Sequence, residues 1–299
     1  MKYTIAIPAY NNADIIDKAI ESCLNQNFDY DYEVLISDDG STDNSHEVYQ
    51  KYLNHSCFKL IKHEKNSSLY ENHNRCLRAS SGEYVLFCHA DDTLFDDALL
   101  KIDTALSKYK YPTRVVCFGR SFFRDFYVNY QNVGVMNEMV SGIAAQELFQ
   151  HGGLTPSGTC YSRESFLKSG GFLPMVNKIT PSDVSSMIKY SLDGAEFLML
   201  DRLIFKREFA STAIDLSPED IYESIGHALC ELSKVLPENS MERLFKNINK
   251  FKSVNLMYML NLSIFSKDKK LKSKLKVKCL IKNPRLLTDT FKLKLLFLK

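Results

Sequence analysis

The stretch that decides the fold is GEYVLFCHADD, residues 82–92. Its first part, Tyr84–Cys88, is an uncharged apolar run, which predicts a buried strand. Its second part, His89–Asp92, places two adjacent carboxylates directly after that strand, ahead of a helix-like segment from Asp96. The strand therefore delivers both acids to one edge of a sheet. In open α/β sheets, ligands bind at the carboxyl ends of the strands.

Two interpretations of Asp91 and Asp92 are open on these residues alone. Paired carboxylates at a strand end suit a hard metal ion, because Mg²⁺ and Mn²⁺ prefer carboxylate and phosphate oxygens. The alternative is that one of the two acids caps the helix that follows.

The composition is that of an ordinary soluble globular protein, with 45% hydrophobic and 25% charged residues in a chain of 299. Its eight cysteines are scattered and form no C-x-x-C pair, which argues against a disulfide framework or zinc site and for a reducing compartment. No signal peptide precedes the first strand, and no apolar run reaches the roughly 18 residues of a spanning helix. We therefore expect a cytoplasmic location.

Charge is distributed unevenly along the chain. Residues 266–299 contain 12 Lys/Arg and 2 Asp/Glu, so the chain totals of 38 and 36 leave 26 basic against 34 acidic side chains elsewhere. The tail alternates Lys with apolar residues, as do basic amphipathic segments that lie on anionic membranes. Nucleic acid is disfavoured as the partner because no recognised binding motif is present. A solvated helical face is the remaining alternative.

The first half of the chain alternates strands and helices, which predicts βαβ units and a parallel sheet. The predicted strands are 3–7, 33–37, 58–62 and 84–88, and the predicted helices are 13–24, 44–53, 69–80 and 97–109. Pro8 is expected to end the first strand, since proline cannot continue a central ladder. Beyond Pro112 we predict strands at 115–118, 158–161 and 196–207, helices at 144–150, 164–168 and 183–192, and a helical region after Pro218.

Polar segments follow three of these strands: Pro8–Asn11, Asp38–Asp39 and Asp91–Asp92. Taken alone, Asp38-Asp39-Gly40-Ser41 is typical of a capped turn. Because the carboxyl ends of parallel strands share one edge, all three segments are predicted to converge in one crevice.

These segments together resemble family 2 glycosyltransferases of the bacterial surface-polysaccharide type. The resemblance rests on IPAYNN (7–12), DDGSTDNS (38–45), the spacing from Asn74 to Gly82, HADD (89–92), GTCYSR (158–163), GGF (170–172) and Ser182-Asp183. It implies a GT-A fold, an α/β/α sandwich with a mixed, mainly parallel sheet. The resemblance covers roughly residues 1–210. We therefore predict a domain at 1–215, with a nucleotide-sugar half (1–112) and an acceptor half (113–215), and we predict from composition and pattern a helical, basic region at 216–299.

The resemblance also implies roles for individual residues. Pro8, Ala9, Tyr10 and Asn11 would line the base and ribose pocket. Asp39 would hydrogen-bond the uracil ring, while Asp38 supports the turn. Asp91 would lie near the ribose and take part in the metal site, and Asp92 would bind the divalent ion, Mn²⁺ or Mg²⁺. Asp183 would be the general base that removes the acceptor proton.

The implied activity is inverting transfer of a hexose or N-acetylhexosamine from a nucleotide-sugar, with UDP-sugars expected. The implied acceptor is a lipid-linked saccharide in the assembly of O-antigen, capsule or a similar polysaccharide. Because the tail is basic, we expect the protein to be peripheral on the inner face of the bacterial cell membrane.

The chain departs from the family pattern at two positions. His89 stands where many members have Asp, and is either a metal ligand or a supporting residue. Ser182 replaces the acid that usually precedes the base, so Asp193 and Glu196 are alternatives to Asp183. Lys206-Arg207 would either reach a phosphate or end a solvated strand. His73 and Asn74 receive no role beyond packing or capping.

Other functions are weighed against the transferase. A binding or scaffold protein that kept the fold and lost activity is consistent with His89 and Ser182. A sugar nucleotidyltransferase is disfavoured, because residues 8–14 (PAYNNAD) contain neither Gly nor Arg. A Rossmann dehydrogenase is disfavoured because no G-x-G-x-x-G follows the first strand.

Overall fold

The computed structural model describes residues 1–123, 126–127, 137–141, 156–173, 186–187, 189–191 and 193–207, all of which belong to one compact unit. Asp183, Ser182 and the basic region 216–299 lie outside these residues, as does the helix predicted at 144–150. No helix in the described part of the chain is long and apolar enough to cross a bilayer.

The predicted alternation of strands and helices is confirmed in the first half of the chain. The described strands are β1 (Tyr3–Ala9), β2 (Tyr32–Asp38), β3 (Phe58–Lys62), β4 (Tyr84–Phe87), β5 (Asp92–Leu94), β6 (Val115–Phe123), β7 (Phe126–Tyr127), β8 (Met139–Ser141), β9 (Thr159–Ser162) and β10 (Glu196–Arg207). The described helices are α1 (Ile16–Leu24), α2 (Ser45–Gln50), α3 (Leu69–Ala79), α4 (Ala98–Lys108) and α5 (Arg163–Lys168).

The strands form one mixed sheet in the order β3-β2-β1-β4-β9-β6-β10-β5, with β7 on β6 and β8 on β10. Strands β3, β2, β1 and β4 are mutually parallel, and β10 runs parallel to β6. Strand β9 is antiparallel to both β4 and β6, so β10 runs in the same direction as β1 and β4. Parallel pairing involves most of the paired residues, and the predicted mixed, mainly parallel sheet is confirmed.

Each face of the sheet carries its own helices. Leu86 and Cys88 belong to the buried core that also contains the apolar faces of α1 and α4. Phe87, between them in sequence, points the other way and packs against His73 of α3 and against Phe172, with ring centroids 4.9 and 5.7 Å apart. This alternation explains why the strand reads as a continuous apolar run, since both of its faces are buried.

The expectation that Pro8 ends the first strand is wrong, because β1 continues to Ala9 in register with β2. The Ala6 carbonyl accepts from Cys88 on the β4 side, whereas the Ala9 carbonyl accepts from Asp39 on the β2 side. Backbone groups two residues apart point to the same side of a strand, so those of Pro8, like those of Ala6, face β4. The pairing of β1 with β4 ends at Ala6, before Pro8 is reached. Pro8 has no N–H to donate, but no hydrogen bond of the sheet is lost, because no residue of β4 pairs with it there.

The alternative in which Asp91 or Asp92 caps the next helix is also wrong. Helix α4 begins at Ala98, and Asp97 occupies its N-cap position. Asp92 instead opens β5, a three-residue strand that pairs antiparallel with the end of β10. Asp91 thus lies in a tight connection between β4 and β5, and Asp92 lies directly after it. A hydrogen bond from the Asp92 amide to the His89 carbonyl closes the connection.

Candidate active site

The strand order changes direction between β1 and β4, since β2 and β3 extend the sheet on one side of β1 and β4 lies on the other. In open α/β sheets a crevice forms outside the carboxyl ends of the strands at such a switch point, and ligands bind in it. The segments Pro8–Asn11 and His89–Asp92 flank this point, and Asp38–Asp39 follows the next strand. The sheet therefore brings the three predicted segments to one edge.

Asp38 organises the turn after β2. Its Oδ1 accepts hydrogen bonds from the Ser41 amide at 3.0 Å and the Ser41 hydroxyl at 2.5 Å. The Ser41 hydroxyl in turn accepts from the Asn11 amide, and the Asn11 side chain accepts from the Thr42 amide at 2.8 Å. Asn11 has φ of 52° and Gly40 has φ of 79°, values that favour Asn and Gly. The first and second segments are therefore fastened to each other.

Asp39 is a buried carboxylate, 2% exposed, held by two residues that the sequence did not single out. The Ser67 amide donates to its Oδ2 at 2.9 Å, and the Ser67 hydroxyl donates to the same carboxylate. Arg75 of α3 forms an ion pair with its Oδ1. A carboxylate buried this far from water requires such partners to stay charged.

We expect Arg75→Met to lower the free energy of unfolding by about 3 kcal/mol, because it leaves the buried Asp39 charge without its counter-ion. The double variant Asp39→Asn/Arg75→Met should recover part of the loss, since it removes both charges. Urea denaturation would measure the difference. The control is Arg78→Met on the same helix, whose ion pair with Glu71 is exposed; its cost should stay below about 1 kcal/mol. Equal losses in the Arg75 and Arg78 variants would contradict the assignment.

The third segment contains a candidate metal centre. His89, Asp91 and Asp92 each offer a ligand atom, and these atoms lie within 4.8 Å of one another. Asp92 is 4% exposed, and Arg207 lies opposite it in the β5–β10 pairing. Burial, and then the positive charge of Arg207, lower the pKa of His89 to about 4, so its imidazole is neutral at pH 7. Two carboxylates and a neutral imidazole fit Mn²⁺ well, and Mg²⁺ less well.

Asn74 fastens the GGF loop to α3, a role the sequence did not reveal. Its side-chain amide donates to the Phe172 carbonyl at 2.7 Å, and its Oδ1 accepts from the Phe172 amide at 2.8 Å. Gly171 has φ of 63°, and a Cβ there would lie 2.4 Å from Asn74 Oδ1. Asn74, the first residue of the Asn74-to-Gly82 spacing, and the GGF motif are therefore in direct contact.

Replacing Asn74 by Leu should destabilise the fold by about 2–4 kcal/mol, because both backbone groups of Phe172 would be buried without partners. The thermal unfolding midpoint of the purified chain would measure the effect. Asn27→Ala is the control, since Asn27 is exposed and, among the described residues, its side chain bonds only to the Asp96 carboxylate, which is exposed too. If the unfolding midpoint of Asn74→Leu lay within a degree of that control, the stabilising role of the Asn74–Phe172 contact would be contradicted.

Both alternatives to Asp183, Asp193 and Glu196, lie at the edge of the sheet opposite the candidate site. Glu196 begins β10, which runs parallel to β1, so it lies at the amino end. Asp193 precedes it and is bonded to Lys189 and the Ser169 hydroxyl. By contrast, Lys206 and Arg207 end β10 at the carboxyl edge, on the side of the candidate site.

Residues 4–168 match the sequence profile of "Glycosyl transferase family 2". The chain belongs to this family. Of the predicted site residues, those from Pro8 to Asp92 fall within the matched region, and Asp183 falls after it.

Named relatives include two bacterial enzymes that glycosylate poly(ribitol-phosphate). The chain is 35% identical over 104 residues to a poly(ribitol-phosphate) beta-glucosyltransferase of Bacillus spizizenii, covering 34% of this chain and 16% of that one. It is 33% identical over 101 residues to the poly(ribitol-phosphate) beta-N-acetylglucosaminyltransferase TarS of Staphylococcus aureus, covering 33% and 18%. These sequence matches span less than a fifth of either relative.

Solved structures share the fold over most of the chain. TarS residues 1–349 in complex with UDP-GlcNAc superpose with a TM-score of 0.67 and 21% identity, covering 94% of this chain and 81% of that one. The mannosyltransferase PcManGT of Pyrobaculum calidifontis, in complex with GDP-Man and Mn²⁺, gives a TM-score of 0.55 at 16% identity, covering 93% and 87%. The expected GT-A fold is confirmed.

Proposed function

We propose that this protein is an inverting glycosyltransferase that moves a hexose or N-acetylhexosamine from a UDP-sugar to a hydroxyl of a lipid-linked saccharide. The observation that carries the proposal is the convergence of Asp39, Asp91 and Asp92 at the β1/β4 switch point. Relatives that glycosylate poly(ribitol-phosphate), and a structural neighbour with bound UDP-GlcNAc, support a nucleotide-sugar donor and a surface-polymer pathway.

On this proposal, the nucleoside binds between the ends of β1 and β2. Pro8–Asn11 form one wall of its pocket, and their position is fixed by the hydrogen bonds between Asn11 and the turn at Ser41 and Thr42. Asp39 accepts a hydrogen bond from the base. The Ser67 and Arg75 contacts hold its carboxylate in a single orientation, so little ordering cost remains when the nucleotide binds.

The diphosphate would lie beside Asp91 and Asp92. These two carboxylates would hold a divalent ion, Mn²⁺ or Mg²⁺, which when bound supplies positive charge to the phosphate oxygens of the leaving group. Arg207, at the same edge and opposite Asp92, adds positive charge on the protein side. Asp183 acts as the general base and removes the proton from the attacking acceptor hydroxyl. Direct displacement by that oxygen inverts the anomeric centre.

A panel of nucleotide-sugars tests the proposal. The unfolding midpoint of the full chain is measured with UDP-GlcNAc, UDP-glucose, UDP-galactose and GDP-mannose, each with and without Mn²⁺. A ligand present at one hundred times its Kd stabilises by about 2.7 kcal/mol, so a cognate UDP-sugar should raise the midpoint clearly. The rise should need Mn²⁺ for its full extent. Absence of any rise with a UDP-sugar would overturn the proposal.

We also propose that the protein is cytoplasmic and peripheral on the inner face of the cell membrane, bound through its basic region 216–299. The 12 Lys/Arg of residues 266–299 support this location. Sedimentation of the full chain with vesicles tests it. Binding to phosphatidylglycerol vesicles should fall steeply as salt rises, and phosphatidylcholine vesicles should bind little. Equal binding to both would contradict the proposal.

A further inference from the structure

A pair of histidines lies beneath the candidate metal centre. His73 of α3 is fully buried, and its Nδ1 lies 2.6 Å from the Leu69 carbonyl oxygen. Its other ring nitrogen, Nε2, lies 2.9 Å from Nε2 of His89. The two rings meet edge to face, with centroids 5.1 Å apart. One chain of hydrogen bonds therefore runs from the backbone of α3 to the first residue of HADD.

This chain fixes where the protons are. A carbonyl oxygen only accepts, so His73 must donate to Leu69 from Nδ1. His73 packs against the rings of Phe87 and Phe172, at 4.9 and 5.1 Å, and neither of its hydrogen-bond partners is an anion. Such surroundings favour the neutral ring, because a buried imidazolium needs a compensating charge. Nε2 of His73 is then an acceptor, and Nε2 of His89 must carry a proton and donate it.

The remaining nitrogen of His89, Nδ1, is consequently the one left to bind a metal ion. Nε2 is committed to His73, and Nδ1 has no hydrogen-bond partner among the described residues. His89 is half-buried, and it belongs to the cluster whose ligand atoms lie within 4.8 Å of one another. Its main chain is also held, because the His89 amide donates to the Ser157 hydroxyl at 3.1 Å.

We propose that His89 is a third protein ligand of the divalent ion through Nδ1, together with Asp91 and Asp92, and that His73 is a positioning residue that holds His89 in this tautomer. The inference rests on the proposed metal-dependent transfer. Metal-bound histidines commonly donate their other N–H to an acceptor in this way, which orients the ring and raises its basicity. Here the acceptor is a second imidazole, itself fixed by a helix carbonyl.

A nitrogen ligand changes which metal the site selects. Imidazole suits Mn²⁺, Co²⁺ and Zn²⁺ better than Mg²⁺, which prefers an all-oxygen environment. We therefore expect the site to bind Mn²⁺ more tightly than Mg²⁺. In His89→Asp all the protein ligands are carboxylates, so the ratio of Mn²⁺ affinity to Mg²⁺ affinity should be smaller than in the wild type.

Pulsed electron paramagnetic resonance of Mn²⁺ tests the ligand directly. The full chain is loaded with Mn²⁺ and UDP, and electron spin echo modulation from a coordinated ¹⁴N is recorded. Wild type should show this modulation, and protein grown with ¹⁵N-histidine should show the ¹⁵N pattern instead, which needs no variant and no activity. His89→Asp should bind Mn²⁺ but show no modulation from a coordinated nitrogen. Bound Mn²⁺ that shows no histidine nitrogen in wild type overturns the inference.

Two His73 variants test the positioning role. His73→Gln keeps an amide oxygen that accepts the His89 proton, whereas His73→Leu removes the acceptor. Loss of such an outer partner typically weakens metal binding by roughly 10- to 100-fold, so His73→Leu should raise the Mn²⁺ Kd by that factor and His73→Gln should largely restore it. Equal Mn²⁺ affinity in both variants, whether unchanged or weakened, overturns the role of His73.

The outcomes separate this inference from the proposed function. If Mn²⁺ binds with UDP and supports transfer but shows no histidine nitrogen, the transferase stands and the His89 assignment is wrong. If neither UDP nor a UDP-sugar binds with Mn²⁺, both are wrong. Apparent UDP affinity without metal, measured for each variant, identifies any substitution that damages the fold instead of the metal site.

Discussion

Replacing Asp92 by Asn is expected to reduce sugar transfer by at least about 100-fold while leaving the fold intact. Asp92 is 4% exposed and lies at the turn between β4 and β5. Its hydrogen bond to the His89 carbonyl comes from the backbone amide and therefore survives the substitution. Asn keeps the shape and one oxygen of the side chain but removes its charge. Loss of a single electrostatic contact to a developing anion typically costs about 10²–10³ in kcat.

Metal titrations distinguish this cause from a general loss of activity. The Mn²⁺ Kd of Asp92→Asn should rise, and excess Mn²⁺ should recover part of the rate. The control is Asp96→Asn, an exposed acid four residues along the chain whose carboxylate bonds only to Asn27 within the described residues. This variant should transfer at close to the wild-type rate. Full activity of the wild type in EDTA, or of Asp92→Asn at low Mn²⁺, would remove Asp92 from the metal site.

Local patterns were sufficient to predict most of the first half of the fold. Strand β3 was predicted at 58–62 and lies there, and α3 and α4 were placed within a residue at each end. These elements succeed because their apolar periodicity is strong and their neighbours in the sheet are near in sequence. The convergence of three strand ends followed from the same information, since parallel strands share their carboxyl edge.

The errors arise where distant parts of the chain determine the structure. Strand β5 has three residues and exists because it pairs with β10, more than a hundred residues later, which no local pattern announces. Pro8 remains in β1 only because β4 has already ended beside it. A helix cap was a possible alternative for Asp91 or Asp92 for the same reason, because the sequence shows no element that separates them from α4.

The supporting residues of the site were missed for a related reason. Arg75, Asn74 and His73 are consecutive on α3, yet they serve three different contacts: to Asp39, to Phe172 and to His89. A helix turns its residues to different sides, so a single short segment can reach several strand ends. In sequence these three residues show only as polar positions on an amphipathic helix. The one available signal was their presence in the segment that leads to Gly82.

The second large effect is expected at Asp183, which the resemblance assigns as general base. On that assignment, Asp183→Asn removes the group that takes the proton of the acceptor hydroxyl. General base catalysis typically contributes about 10²–10⁴ in rate, so kcat should fall by that factor. Binding of the UDP-sugar should be unchanged, because the base acts on the acceptor and not on the nucleotide. Single-turnover transfer and donor Kd, measured on the same preparation, would separate the two quantities.

The controls for Asp183→Asn are Asp193→Asn and Glu196→Gln. Both are acids close to Asp183 in sequence, and the structure places both at the amino end of β10, on the opposite edge of the sheet from Asp92. Neither should change kcat by more than about 2-fold, the scale of an uninvolved surface charge. Normal turnover in Asp183→Asn would show that another group takes the proton. Because the sheet direction already places Asp193 and Glu196 away from the acids proposed to bind the donor, that group would have to lie elsewhere at the carboxyl edge.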